Sequence, residues 1–222
     1  IPAHLAQGVF KAGKTFSGCT MWVVNKADIL SGTLTVTSFT QSATNTDMYT
    51  PQGVHNDDPA ANNGYFIGAS QTVYSRLVLK RVSFSGANPT LSNDIDLSTQ
   101  TTYSPMTTPS QGGIALDGDD RRLVAAMIKQ NKISHASNLW VAQGSLMDIA
   151  GIGGSGGDRD GAVWFEIGNL ASVPTILQSA SLCDTSGTGP SSVHCTYPRI
   201  AESRHGHRIM GFTAVAASKY AQ

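Results

Sequence analysis

Apolar and polar residues alternate along several short stretches of this chain. Leu34, Val36, Ser38 and Thr40 interleave with Thr35, Thr37 and Phe39, and Leu77, Leu79, Arg81 and Ser83 interleave with Val78, Lys80, Val82 and Phe84. A period of two sends successive side chains to opposite faces and predicts β-strands. Read this way, the chain divides into five units. The first joins Thr20–Asn25 to Leu34–Gln41. The second joins Tyr65–Ser70 to Arg76–Phe84, where Asn88-Pro89 ends the strand and Leu91–Leu97 adds an edge. The third is a hairpin, GGIALD followed by RRLVAAMIKQ, turned at Asp117-Gly118-Asp119-Asp120. The fourth runs from Asn138–Leu146 through a glycine-rich loop, IAGIGGSGGDRDG, into AVWFEIG and TILQSASLC. The fifth pairs YPRIAES with RIMGFTAVA, and ASKYAQ then reads as the start of a further strand.

Polar segments rich in Thr, Ser, Asn and Pro, Ser42–Asn63 and Ser98–Gln111, read as surface connections. The third and fifth units also match one another. Gly112–Ile128 returns eighty-six residues later as Tyr197–Ala214, with Ile114-Ala115 over Ile200-Ala201, Arg122 over Arg208 and Leu123 over Ile209. That separation is two units of about forty residues, near the roughly 40–50 residues of a propeller blade. The expectation is an all-β fold, a single β-propeller domain of about five blade-like units over residues 1–222, incomplete at its C-terminus. A β-sandwich is the alternative. The strand lacking from the last unit comes from Val9-Phe10 in the N-terminal arm, from further chain, or from a second chain.

Charged residues make up 14% of the chain and balance to zero. This composition gives no electrostatic footprint for nucleic acid and suits a secreted or periplasmic β protein. No run of eighteen apolar residues spans a membrane. The chain starts at Ile1, as a processed or trimmed form would. Cys183 and Cys195 flank a Ser/Thr/Gly/Pro loop and are expected to form a disulfide, while Cys19 reads as a buried thiol.

The run AVWFEIG, PTILQSASL, YPRIAES and HRIMGFTAVAASKY resembles secreted bacterial β-propeller proteins of unassigned function, and more loosely the sialidase-like propellers. The resemblance is closest over Gly112–Gln222 and implies a fold. Its sialidase turn motif is represented only by Asp158-Arg159-Asp160-Gly161 before Val163-Trp164, without the motif's serine and threonine, so no catalytic residue is carried over.

Three groups of side chains offer chemistry. His205 and His207, two residues apart in an extended backbone, present both imidazoles to one transition-metal ion. Asp158 and Asp160, after the glycine run, offer oxygens of the kind calcium takes. Arg199, Arg204 and Arg208 would converge on an anionic ligand. Against each stands a simpler reading as polar turn, mobile insert or edge cover. No organic cofactor is expected. Carboxylate pairs such as Glu166 with Asp160 or Asp117 with Asp119 would suit glycoside hydrolysis, given a suitable separation. Trp22, Trp140 and Trp164 read as packing between units. The leading expectation is therefore a non-enzymatic propeller that binds a glycan or protein through loops on one face. A polysaccharide hydrolase or lyase and an extracellular metal-binding protein are the alternatives.

Overall fold

The alternating stretches form strands in a computed structural model, which describes residues 3–10, 16–58, 60–86, 88–188, 191–203 and 205–222. The chain is all-β, with one short α-helix among the described residues. Among the described residues the strands make four sheets, and none closes into a barrel or ring. In the first sheet, β1 (Ala3–Phe10), β2 (Phe16–Val24) and β3 (Val36–Ser42) run antiparallel. Helix α1 (Lys26–Leu30) links β2 to β3, and Asn25 caps it by accepting the Ala27 N–H at 3.0 Å. The second sheet holds β4 (Met48–Gly53), β6 (Gly64–Ser70) and β7 (Arg76–Ser85). Two short strands, β8 (Asn88–Leu91) and β9 (Ile95–Ser98), share the far side of β7.

The third sheet runs β5 (His55–Asn56), β10 (Leu123–Gln130), β11 (Ser137–Met147), β12 (Arg159–Gly168) and β13 (Thr175–Leu182). Its β5 lies parallel to β10, although in sequence it falls inside the second sheet. The fourth sheet is the hairpin of β14 (His194–Glu202) and β15 (Arg208–Val215).

The sheets stack face on face in chain order, and the two inner ones are buried on both sides. Leu77 and Leu79 of β7 join Ile67, Leu123, Ile128, Val141, Phe165 and Ile167 in the core between the second and third sheets. Their neighbours Val78 and Val82 face the other way, onto Cys19, Met21 and Val23 of the first sheet. Trp140 and Ala142 of β11 meet Ile200 of β14, with Met127, Trp164 and Met210 beside them. Each fully buried Leu, Ile or Phe contributes about 1.5–3 kcal/mol, so these three interfaces supply most of the driving force. Lys80, on the first-sheet side of β7, is 1% exposed and paired with Asp94 at 2.6 Å.

Several expectations need correction. Gly112–Leu116 makes no strand. Gly112, Gly113 and Asp119 hold positive φ, Ile114 is exposed, and a lone bridge from Thr108 to Leu116 stands where the first arm of a hairpin was expected. β7 ends at Ser85, and Asn88-Pro89 itself opens the next strand, β8, while Leu91–Leu97 divides between β8 and β9. The connection Ser42–Asn63 contains β4 and β5. Val9 and Phe10 pair with Gly18 and Phe16, so the N-terminal arm completes the first sheet rather than the last. ASKYAQ turns back at Ala216–Lys219, and Gln222 exchanges backbone hydrogen bonds with Ala214 without forming a further strand.

No disulfide joins Cys183 to Cys195, and all three cysteines are free. The intervening loop is held instead by Asp184, whose carboxylate accepts the N–H and hydroxyl of Ser186 and the N–H of Val193.

Candidate functional site

At one end of the stack, three loops enclose a cleft of about 390 Å³ between the second and third sheets. Asn56 ends β5, and Asp58 and residues 60–63 follow it before β6; Ala136 closes the β10–β11 turn ahead of Ser137 and Asn138 at the start of β11, and the β12–β13 turn contributes residues 169–172. Side-chain hydrogen bonds shape all three. Asn56 accepts the Asp58 N–H and Asp58 accepts the Ala60 N–H, both at 2.9 Å, which fold the first loop into consecutive Asx turns. The second Asp58 oxygen takes the Ser137 hydroxyl at 2.7 Å and ties the first loop to the second. Arg81 reaches across from β7 to the Leu170 and Ser172 carbonyls at 2.5–3.1 Å and fixes the third. The Asn63 carbonyl oxygen accepts from Ser83, and Asn169 donates to Thr175.

Tyr65, Ile128 and Leu170, all buried, end the core beneath the cleft. Around them the lining carries five asparagines, two serines and one carboxylate, and neither Lys nor Arg. A carboxamide carries two donors and an acceptor, the complement of a vicinal pair of hydroxyls; the Asn56 and Asn63 oxygens and the Asn138 and Asn169 amides are already bonded within the protein, and Asn62 is exposed. Size and lining suit a small polar ligand without formal charge. Sequence reasoning treated this stretch as connection. The density of Asn and Asp in HNDDPAANNG is the one feature that could have drawn attention to it.

The residues singled out beforehand are dispersed. His205 and His207 sit on the exposed tip of the β14–β15 hairpin with ring centroids 6.4 Å apart, and their backbone N–H groups donate to the Ser203 hydroxyl. Among the described residues no three His, Cys, Asp or Glu side chains gather as a metal ion needs. Asp158 pairs with Arg159 at 2.8 Å. Asp160 lies inside β12 rather than in the loop, fully buried, accepting the Met106 N–H and donating its own N–H to His194 Nδ1. Arg199 is exposed between buried Pro198 and Ile200, whereas Arg208 lies against the third sheet, so the two do not converge. Arg204 falls outside the described residues.

Arg208 belongs to a seam between the hairpin and the third sheet. Its guanidinium covers the Trp140 ring at 3.8 Å, and Trp140 stacks on Trp164 at 5.6 Å. One guanidinium nitrogen stands 3.5 Å from Glu202 and 3.9 Å from Glu166. Glu166 also accepts from Asn138 at 2.6 Å and from Gln178. One oxygen of Glu202 has no hydrogen-bond partner among the described residues. Burial and the nearby Glu166 charge push the Glu202 carboxyl above its ordinary range, with Arg208 opposing them. Two carboxylates with unlike surroundings suggest an acid and a base. Their side chains are only 2% and 9% exposed, however, so no sugar ring reaches between them as the seam stands. The group fastens the hairpin. Of the suggested pairs, Glu166 and Asp160 share no partner among the described residues, Glu166 binding Asn138 and Gln178 while Asp160 binds Met106, and Asp117 accepts the Asp119 N–H at 3.0 Å while Asp119 contacts Arg122 at 3.3 Å; the adjacent Asp120 binds Arg122 and the Tyr49 hydroxyl, which braces the turn before β10.

In comparisons with protein-family models, curated proteins and solved structures, none matches this chain. The geometry of the cleft is therefore what bears on function.

Proposed function

We propose that the protein is a secreted glycan-binding module, in which a propeller-like stack of sheets presents loops that recognise a neutral saccharide without cleaving it. The carrying observation is the cleft lined by carboxamides and hydroxyls over an apolar floor, with no cationic side chain to select an acidic sugar. Consecutive sheets packed face to face are the way propeller blades pack, and this supports reading the four sheets as an arc of such a fold. The outer face of β14–β15 fits the same reading. It exposes Tyr197 and Ile209, the apolar content of a face that receives a further sheet of the propeller.

Titration calorimetry with neutral and acidic oligosaccharides tests the binding site. Neutral sugars are expected to bind without product release. Asn62→Ala, which removes an exposed amide of the lining, and Ala61→Trp, which fills the cleft, should each weaken binding at least tenfold. Binding of acidic sugars alone, or binding unchanged in both variants, would remove the cleft as the site.

A further inference from the structure

An aromatic ring left in water forgoes the stabilisation that burial would bring, so an exposed ring that the chain also fixes in place points to a contact. Among the described residues Tyr74, Phe84, Tyr197 and Tyr220 are the exposed Tyr, Phe and Trp side chains. Of these, Tyr74 alone stacks on a second ring. It is 40% exposed and lies against half-buried Tyr103, with centroids 4.3 Å apart and planes inclined by 29°. Neither tyrosine belongs to the three cores between the sheets.

The pair is held by bonds that serve nothing else nearby. Tyr74 stands in the β6–β7 turn, where Arg121 donates to the Gln71 and Val73 carbonyls at 2.9 and 3.1 Å and lays its guanidinium 4.3 Å from the Tyr74 ring centre. Beside it Ser75 takes a left-handed backbone, with φ of 60°. Ser75 and Thr102 then exchange hydrogen bonds, each N–H donating to the other's hydroxyl at 3.1 Å. Tyr103 follows Thr102, and its own N–H donates to the buried Ser145 hydroxyl at 2.9 Å. Both tyrosine backbones are thus fixed before anything binds, which lowers the ordering cost of a contact. The turn lies at the far end of β6 from the cleft. That strand has 7 residues, so at about 3.3 Å per residue the two places are roughly 20 Å apart.

We infer that the Tyr74–Tyr103 pair is a second binding site, which takes one ring of a neutral saccharide against a tyrosine face. Size and charge select that class. Two partly exposed rings fall far short of the roughly 800 Å² that each partner gives to a stable protein interface. Arg121 is committed to two carbonyls and to the Tyr74 ring rather than to an anion, whereas a nucleobase would arrive with a phosphate that needs a cation. A pyranose fits instead. The C–H groups of its face meet the negative face of an aromatic ring, and the hydroxyls of its rim meet the phenol hydroxyls. The site rests on the glycan reading of the cleft for its ligand class, yet the two stand or fall separately. With a site at each end, one molecule engages two stretches of polysaccharide at once.

Tyrosine ring signals followed by NMR during titration with cellohexaose, xylohexaose, mannohexaose and maltohexaose test this, in the wild type and in Ala61→Trp. The Tyr74 and Tyr103 signals are expected to shift to saturation with at least one of these sugars, and to do so equally when the tryptophan fills the cleft. Tyr103→Ala, read at Tyr74, should weaken binding about tenfold or more, while Tyr103→Phe, which keeps the ring, should stay within about threefold of wild type. Tyr74→Ala, read at Tyr103, replaces the first variant where that one does not fold. Ring signals unmoved by every sugar, shifts lost in Ala61→Trp, or binding unchanged by the alanine variants would overturn the second site. Rings that stay still while the cleft binds remove this site alone, and rings that respond while the cleft does not remove the cleft alone.

Discussion

Lys80 shows how much one residue rests on its surroundings. Its ammonium is buried against Asp94, which is itself held by the Thr46 hydroxyl and the Asp47 N–H. Removing one member of a buried ion pair strands the other, so Lys80→Ala should cost about 3 kcal/mol or more in urea unfolding. Gly118 is constrained by space. A Cβ there would run into the Met106 carbonyl oxygen and close on Asp160, and Gly118→Ala should cost roughly 1–3 kcal/mol. Glu202 sets a pH dependence. Its folded-state carboxyl holds a proton more tightly than the unfolded one, so its contribution to stability falls as pH rises from the ordinary carboxylate range through its elevated value. Glu202→Gln should be more stable than wild type at neutral pH, and thermal melts should converge as the pH is lowered below the carboxylate range. The alternation of β7 placed Lys80 beside Val78 and Val82, as found. Its partner lay in a segment without periodicity, and sequence offers no rule for which loop carboxylate closes over a buried lysine.

At the scale of the element, the loop from Asp184 to Val193 is pinned by one side chain where a disulfide was expected. The bonds from Ser186 and Val193 hold the Asp184 carboxyl down at about 2. A carboxylate with a depressed folded value stabilises above its ordinary range and loses that contribution as pH falls toward 2. Asp184→Ala should therefore raise amide exchange at Ser186 and Val193 near neutral pH and make no difference near pH 2. Strands with strong alternation or continuous apolar runs, β2, β6, β7, β11 and β12, were legible because burial of a face dictates the pattern. β4, β5 and the strandless Gly112–Leu116 were not. The first two are built from polar and turn-forming residues whose pairing is decided by the neighbouring sheet, and the third repeats the letters of β14 but not its backbone conformation. The cleft was illegible for the same reason: its residues meet only because three separate turns end on one side of the stack.

The whole molecule is a pile of sheets in which each touches chiefly the next, and its stability should be graded accordingly. The middle interface, between the second and third sheets, has the largest core. Hydrogen exchange should be slowest in β6, β7, β11 and β12 and faster in the first sheet and the β14–β15 hairpin, as expected when local opening follows buried contact. Uniform exchange across all four sheets would instead mean a single cooperative unit. The strand β5 is the exception to the chain-order stacking. His55 and Asn56 leave the second sheet to pair with Met127 and Ile128 of the third. During synthesis the early sheets can settle as they leave the ribosome, but this short strand has nothing to hold until β10 arrives. The loop that follows it carries the first wall of the cleft, so the cleft is among the last parts of these two sheets to take shape in time.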